Sequence, residues 1–483
     1  MKRDELISCF QDTQRISNGT MLRDATERAR KSNRVYREGF EAEEVKFCNR
    51  TKIIVEENTT FAAAAKYKSF GKTAVLNFAN PVNPGGGVVN GAMAQEECLC
   101  RSSNLYPCLT DANVFEDYYG YHRRRNDYLS TDRLIYTSNV TVFKTDDALP
   151  QMMDREKWFA VDVITCAAPY TANLRIGEEE LKRVFRNRVK NIFEAAIDND
   201  VEVLILGAFG CGAFKNPPDI VARAFYEVIQ EYEYHTIFKM IVFAIKSTVK
   251  GNQTGMCPNI RAFNWCFKKK FSILGDSIST LEGYNPHGYR VFHEGQTCQR
   301  TGVSRIENTW WGKVIHALDG ELLVNNSWSG SRVTKVPGQR GLFPSGCSDE
   351  RTGGLHTNNV NPDVILVYLG TNDWAFGADP EEFEAAYNLM LQKLRANYAK
   401  SEIWCCTLCE TKMSANPAFK FPRAYGGTDI GIFNEIIRKK AERYRCGLID
   451  FAKFHLPYDS VDGTHPNADG MRMLAEMART ELL

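Results

Sequence analysis

The sequence lacks any apolar run long enough to span a membrane, for no window approaches the roughly 18 residues a crossing helix needs. Its first residues, MKRDELISCFQDTQRIS, carry charged and polar groups where a secretory leader needs an apolar stretch. Neither sign of charge dominates: 60 Lys and Arg face 59 Asp and Glu, leaving a net charge of +1. Nothing global therefore draws the chain to nucleic acid or anionic lipid, and neither direct DNA binding nor a membrane partner is expected. Low-complexity tracts are missing, and a short basic run, Lys268, Lys269 and Lys270, reads as a solvated turn. Zinc-type ligand spacing is missing too. Cys405, Cys406 and Cys409 in WCCTLCE have no second Cys or His pair nearby, so they read as buried cysteines of a strand, with no metal and no cofactor. Fifteen cysteines, an odd number scattered along the chain, suit a reducing compartment better than a disulfide framework, and a cytoplasmic location is expected.

What is present is a globular composition, 43% hydrophobic and 11% aromatic over 483 residues, enough for two or three domains. Buried-strand patterns TKIIVEE, TAVLNFA, WFAVDVITCAA, VEVLILGAF and FKMIVFAI alternate with helical ones up to about residue 246. Leu181, Val184, Phe185, Ile192, Phe193 and Ala196 recur at helical spacing and give one buried face. A second series, FSILGDS, ELLVNNS, DVILVYLGTND, EIWCCTLC and CGLIDF, begins near Phe271. Both series indicate layered α/β domains, at 1–268 (with a helical N-terminal extension) and 269–483. Almost no linker joins them, which predicts docked domains.

The stretch GGGVVNGAMAQEE, residues 85–97, follows the buried strand TAVLNFA. Glycines at the C-terminal end of a strand let successive N–H groups converge on an anion. The paired carboxylates of Glu96 and Glu97 then fall near a helix start. A second glycine loop, GAFGCGAFKNPP at 207–218, also follows a strand and precedes a helix, so the two loops could hold a diphosphate between them. Together with TTFAAA, RSSNLYPCL, TDRLIYTSNVTVFK and VDVITCAAP, these segments resemble the bacterial form of the macrodomain-type poly(ADP-ribose) glycohydrolases over most of residues 40–250.

That resemblance implies a macrodomain-like α/β/α sandwich with an ADP-ribose pocket, and poly(ADP-ribose) or ADP-ribosylated proteins as substrate. It lays Gly85, Gly86 and Gly87 against the diphosphate and distal ribose, with Ala208, Phe209, Gly210, Cys211, Gly212, Ala213 and Phe214 as the other phosphate loop. Glu97 is then the catalytic acid, Glu96 and Gln95 orient the ribose, Asn80 and Asn83 contact the same sugar, and Phe243 stacks near the adenosine. Chemically, a protonated Glu97 can hand its proton to the departing oxygen and then activate water. A charged Glu96 beside it favours that protonated form.

In the second segment GDSIS follows the buried strand FSIL, NNSWSG offers Gly330, GTND offers Asn372, and DGTHPN offers Asp462 and His465. An ester hydrolase needs a nucleophile, a base, an orienting carboxylate and oxyanion donors. Ser277, His465 and Asp462 fill the first three roles. The N–H groups of Ser277 and Gly330 and the side chain of Asn372 fill the last. This order and the Asp–His spacing resemble the SGNH, or GDSL-type, hydrolases, which implies a flavodoxin-like α/β/α domain acting on an unidentified ester. His122 and His287 read as ordinary core or surface histidines.

Three readings of the whole follow. One is a bifunctional hydrolase, whose esterase acts on ADP-ribosyl or other acyl esters. Another is an ADP-ribose reader that targets a carbohydrate or acetyl esterase, and the last a degenerate N-terminal domain. Glu97 separates the first two, because a reader has no use for an acid there. The intact Gln-Glu-Glu run and both glycine loops argue against the last.

Overall fold

Consecutive apolar residues in TAVLNF, Ala74, Val75 and Leu76, rather than apolar residues at alternate positions, suit a strand covered on both faces. The computed structural model of the protein, which describes residues 3–43, 51–247, 257–335, 344–357, 360–422 and 427–482, puts that segment at the centre of a sheet. The chain divides into two units, Met1–Phe267 and Lys268–Leu483. Among the described residues, no helix is long and apolar enough to cross a membrane.

In the first unit β1 (Arg34–Tyr36), β2 (Lys52–Glu56), β3 (Thr73–Phe78), β4 (Leu134–Val142), β5 (Phe159–Cys166), β6 (Val203–Leu206) and β7 (Met240–Ala244) form one sheet in the order β1-β4-β5-β3-β6-β7-β2. The helices are α1 (Arg3–Asn18), α2 (Arg23–Lys31), α3 (Thr60–Tyr67), α4 (Gln95–Ser102), α5 (Leu105–Leu109), α6 (Ala112–Val114), α7 (Tyr121–Arg125), α8 (Glu178–Asp198), α9 (Pro218–Glu231) and α10 (Pro258–Phe267). Successive strand residues point to opposite faces. Leu76, Ile164 and Leu204 enter a core with Phe185 of α8 and Phe225 of α9. Val75, Val163 and Ile205 enter another with Phe61 of α3 and Leu99 of α4. An α/β/α sandwich results.

The pairings from β5 through β2 are parallel, but β4 runs antiparallel to β5 and to β1. Hydrophobic patterning did not reveal β4 because its alternation breaks in the middle. The register shifts between Thr137 and Val140, where Asn139 has a φ of 58° and donates its N–H to Asp162 Oδ1 at 2.8 Å. A bulge of this kind displaces side chains from their expected faces.

In the second unit β8 (Lys270–Gly275), β9 (Glu321–Ser327), β10 (Val364–Tyr368), β11 (Glu402–Cys406) and β13 (Gly447–Ile449) form an all-parallel sheet, while β12 (Thr411–Lys412) pairs with β14 (Tyr458–Asp459). Its helices are α11 (Gly295–Thr301), α12 (Trp310–Ala317), α13 (Asp349–Gly353), α14 (Thr371–Ala375), α15 (Pro380–Asn397), α16 (Ile430–Arg443) and α17 (Ala468–Leu482). From its β9 edge the sheet reads β9-β8-β10-β11-β13, the flavodoxin-like order. Chain order reverses at β8, so the crevice at the C-terminal ends of β8 and β10 is where such a sheet takes its ligand. Cys405 and Cys406 lie buried in β11. The lysine run corrects its reading as a solvated turn. Lys270 opens β8 in the interior, with Nζ on Glu321 Oε2 at 2.8 Å, and Lys268 and Lys269 pair with Asp319 and Glu402.

Candidate active sites

The end of β3 and the start of α4 are stitched together by Gln95. Its Oε1 accepts from Phe78 N at 2.8 Å, while Nε2 donates to Leu76 O at 2.8 Å and to Thr60 Oγ1 at 3.0 Å. With both ends of its amide engaged in the fold, Gln95 aims the glutamates that follow it rather than a sugar. Glu96 is 2% exposed and accepts from Asn80 N at 2.7 Å. Glu97 is 7% exposed and accepts from Gly87 N at 2.9 Å on Oε1, while Oε2 has no partner.

Two cavities meet beside these groups, sharing Phe78, Ala94, Ala213 and Phe214. One, of about 470 Å³, is lined by Asn80, Glu96, Glu97, His122, Tyr128 and Tyr170. The other, of about 350 Å³, is lined by Asn58, Thr60, Gln95, Ala208, Gly210, Gly212 and Lys246 among others. The N–H groups of Gly212, Ala213 and Phe214 have no protein acceptor among the described residues, as a phosphate cradle requires.

Several sequence expectations need correcting. Gly85, Gly86 and Gly87 line neither cavity. Their amides serve the protein instead, for Gly87 holds Glu97, and a Cβ on Gly86 would stand 2.5 Å from Glu97 Oε1. Phe243 is sealed in the core, stacked on Phe267 at 4.5 Å between centroids, because it lies on the α9–α10 face of β7. Phe209 is enclosed by Phe78 and Phe185, and Cys211 packs against the same core, so these two residues of the second loop turn inward. Asn83 is exposed and lines neither cavity, while its N–H, with that of Val82, donates to Asn80 Oδ1. His122 is a core histidine, as expected, and it also borders the larger cavity. Its Nδ1 donates to Tyr118 O at 2.8 Å, leaving Nε2 to accept from Thr131 Oγ1 at 3.0 Å.

Burial pushes the Glu96 carboxyl up to about 8, against the pull of the Asn80 N–H, and the neighbouring Glu97 charge raises it further. Burial thus resists the ionisation of Glu96, the deeper of the two carboxyls. A carboxyl raised in the folded state favours folding while protonated. Its contribution is full below about 4.5 and is lost as pH rises through about 8. At about 1.4 kcal/mol per pKa unit the effect reaches a few kcal/mol. Unfolding free energies of the parent and Glu96→Gln across pH 4 to 9 (roughly the span of this shift) are expected to converge at the acid end and separate above it. Parallel curves would refute the assignment.

In the second unit β8 ends at Gly275. Asp276 then caps a tight turn, accepting from Ile278 N at 3.0 Å, so that the chain reverses with the Ser277 hydroxyl at the strand end. Ser277 Oγ lies 2.9 Å from His465 Nε2, and His465 Nδ1 donates to Asp462 Oδ2 at 2.7 Å. Asp462 Oδ1 accepts from His465 N and Thr464 N at 2.8 and 3.1 Å, which fixes the DGTH turn and the ring together. Burial would raise the Asp462 carboxyl, but the hydrogen bond and charge of His465 outweigh it and hold the group down at about 2. Phe292 stacks flat on the imidazole at 3.4 Å, a contact between distant segments that no local pattern announces.

Gly330, at a φ of +83°, follows β9, and Asn372 opens α14 after β10, so all three expected oxyanion donors stand at C-terminal strand ends. The N–H groups of Ser277 and Gly330 have no protein acceptor among the described residues. Asn372 Nδ2 donates to Ser331 O at 2.9 Å, which leaves its second N–H to spare.

The two sites define a pair of hydrolase classes on one chain. Residues 5–145 match the family model of the microbial-type PARG (poly(ADP-ribose) glycohydrolase) catalytic domain, and residues 269–481 that of the GDSL-like lipase/acylhydrolases. By its first unit the chain belongs to the microbial-type poly(ADP-ribose) glycohydrolases, and its second unit is similar to the GDSL-like lipase/acylhydrolases. Among solved structures it is similar to the poly(ADP-ribose) glycohydrolase of Thermomonospora curvata, at 31% identity, covering 55% of this chain and 100% of that one with a TM-score of 0.47. It is also similar to that of Deinococcus radiodurans in complex with ADP-ribose, at 32% identity over 50% of this chain and 95% of that one, TM-score 0.43. A multidomain esterase of Ruminococcus flavefaciens is 30% identical over 159 residues, 31% of this chain. The chain spans 19% of that esterase's length and 17% of the length of a cellulase/esterase from Acetivibrio thermocellus.

Proposed function

We propose that the protein is a bifunctional hydrolase: its first unit binds ADP-ribose and cleaves ribose–ribose bonds of poly(ADP-ribose), and its second is a serine ester hydrolase. For the first activity, the observation that carries the reading is Glu97 at the cavity edge, held through one oxygen by the Gly87 amide with the other oxygen unpartnered. Glu97 protonates the departing ribose oxygen, and its carboxylate then draws a proton from the water that attacks the anomeric carbon. The amides of the 208–214 loop take the diphosphate, and Glu96 and Asn80 border the ribose.

For the second activity, Ser277 attacks the ester carbonyl as His465 Nε2 takes its proton. The Ser277 and Gly330 amides and the Asn372 amide receive the oxyanion, and His465 returns the proton to the departing alcohol. We assign the substrate to esters of sugar hydroxyls, a chemistry shared by ADP-ribosyl esters and acetylated carbohydrates. Carriage beside a poly(ADP-ribose) hydrolase favours the former. None of the fourteen described cysteines is in a disulfide, which supports a reducing, cytoplasmic setting.

The test is a crossed pair of variants in the full chain, Glu97→Gln and Ser277→Ala, each assayed on poly(ADP-ribose), on ester-linked mono-ADP-ribose and on acetylated xylan. Each variant losing one activity and keeping the other supports the division; loss of both together, or of neither, rejects it.

Gly86→Ala probes the glycine triplet separately. At a φ of +59° a side chain is strained, and the new methyl would meet Glu97 Oε1 at 2.5 Å and Glu96 Oε2 at 3.1 Å. Glycohydrolase turnover is expected to fall at least about a hundredfold, in line with losing a placed acid. Ester hydrolysis by the same sample should be unchanged, and parental turnover on poly(ADP-ribose) would contradict the placement of Glu97 against the glycine turn.

A further inference from the structure

Beneath the three loops that carry the esterase groups lies a buried positive charge to which that mechanism gives no part. Arg351, on α13, is 0% exposed. Its guanidinium donates from Nε to Asn326 Oδ1 at 2.8 Å, and from Nη1 to Ser331 Oγ at 2.7 Å and Pro344 O at 3.4 Å. From Nη2 it donates to Gly275 O at 2.9 Å and Asn326 O at 3.0 Å. Five N–H groups thus meet five acceptors, and none of the five is charged. A guanidinium enclosed on these terms is costly, and no carboxylate hydrogen-bonds to it, although the charges of Asp276 and Glu350 act on it.

The acceptors share one property. Gly275 is the last residue of β8, two before the nucleophile, and Asn326 lies near the end of β9. Ser331 is the neighbour of Gly330, and its own carbonyl accepts from Asn372 Nδ2. One side chain therefore ties together the segments bearing Ser277 and Gly330, and through Ser331 reaches Asn372. The nearest titratable group on the nucleophile's own turn is Asp276. Its Oδ1 is taken by Ile278 N and its Oδ2 has no partner, so it makes no hydrogen bond to the guanidinium.

We infer that Arg351 is a positioning residue for ester hydrolysis, holding the segments that bear the Ser277 and Gly330 amides so that the two converge on the substrate oxygen as it becomes negative. The inference rests on the esterase reading above. Amides held in this convergence favour the tetrahedral intermediate over the bound ester. Turnover depends on Arg351, and substrate affinity does not.

The experiment uses the full chain, p-nitrophenyl acetate as the neutral probe, and a fluorophosphonate to titrate reactive Ser277, so that kcat is expressed per intact site. Arg351→Met is expected to lose about a hundredfold in kcat per titrated serine with KM within about twofold, the size of a lost oxyanion contact. Arg351→Lys, which keeps the charge but not the five bonds, should fall between Met and the parent. Guanidinium at tens of millimolar should recover part of the activity of Arg351→Ala and none of that of Arg351→Lys. Parental kcat per site in Arg351→Met, or a loss confined to the number of titratable sites, would make Arg351 a structural brace and overturn the inference. Ser277→Ala run alongside separates the two claims. If Ser277→Ala hydrolyses the probe at the parental rate, the esterase reading fails and the inference with it. If Ser277→Ala is inactive while Arg351→Met is parental, only the inference fails.

Discussion

Glu97→Gln is expected to cut release of ADP-ribose from poly(ADP-ribose) by about a thousandfold, within the range for removing a general acid. The substitution is nearly isosteric. A glutamine oxygen can still accept from Gly87 N, so the 85–87 turn keeps its shape and the cavity its walls. What the amide lacks is a proton to give the leaving ribose and a carboxylate to activate water. Glu96→Gln should cost less. Its carboxylate also accepts a backbone N–H, from Asn80, but it sits deeper and an amide there keeps that bond. The order of the two losses therefore tests which glutamate does the chemistry. Isothermal binding of ADP-ribose to Glu97→Gln should match the parent, for the glycine loop at 208–214 is untouched. A variant that keeps more than about a tenth of parental turnover would leave Glu97 without the acid role, and a binding module would then be the better account.

The two sites were legible in the sequence to different degrees, and the reason is distance along the chain. Asp462 and His465 lie three residues apart on one turn and Ser277 sits in the tight turn just after a strand, so backbone geometry fixes them locally and the pattern carries the information. The parallel sheets were legible because their strands carry consecutive apolar residues, as in VLIL of β6 and VILVY of β10. What stayed hidden depends on tertiary partners. Nothing in GGG says that one of its amides will cap Glu97 rather than face a ligand. Nothing in VFAI distinguishes a Phe243 facing the α10 core from one facing a pocket, since alternation gives two faces without naming either. Strand β4 was lost to the bulge at Asn139, and Arg351 gave no signal because an arginine in DERTG reads as an ordinary surface helix residue until its five acceptors are seen.

Ester hydrolysis should respond to the triad in a graded way. Ser277→Ala and His465→Gln are each expected to lower kcat by a factor on the order of 10⁴ to 10⁶, because nucleophile and base act as one unit. Asp462→Asn is more instructive. Its oxygen would stay on the His465 and Thr464 N–H groups, which together fix the turn, and the new NH₂ would face His465 Nδ1. Two donors cannot face each other, so the ring proton would move to Nε2, the atom that must accept from Ser277. The expected loss is about 10³ to 10⁴ in kcat at neutral pH with KM little changed, the cost of a wrong tautomer. In the parent Asp462 is held at about 2, so its ionisation favours the fold from ordinary carboxylate pH upward and is lost only as pH falls through about 2. Any acid limb of the rate profile above that range therefore belongs to another group. If Asp462→Asn moved that limb and left the neutral rate intact, the carboxylate would be a spectator and the base would need a different partner. Phe292, stacked on the other face of the ring, already limits how far the imidazole can swing to find one.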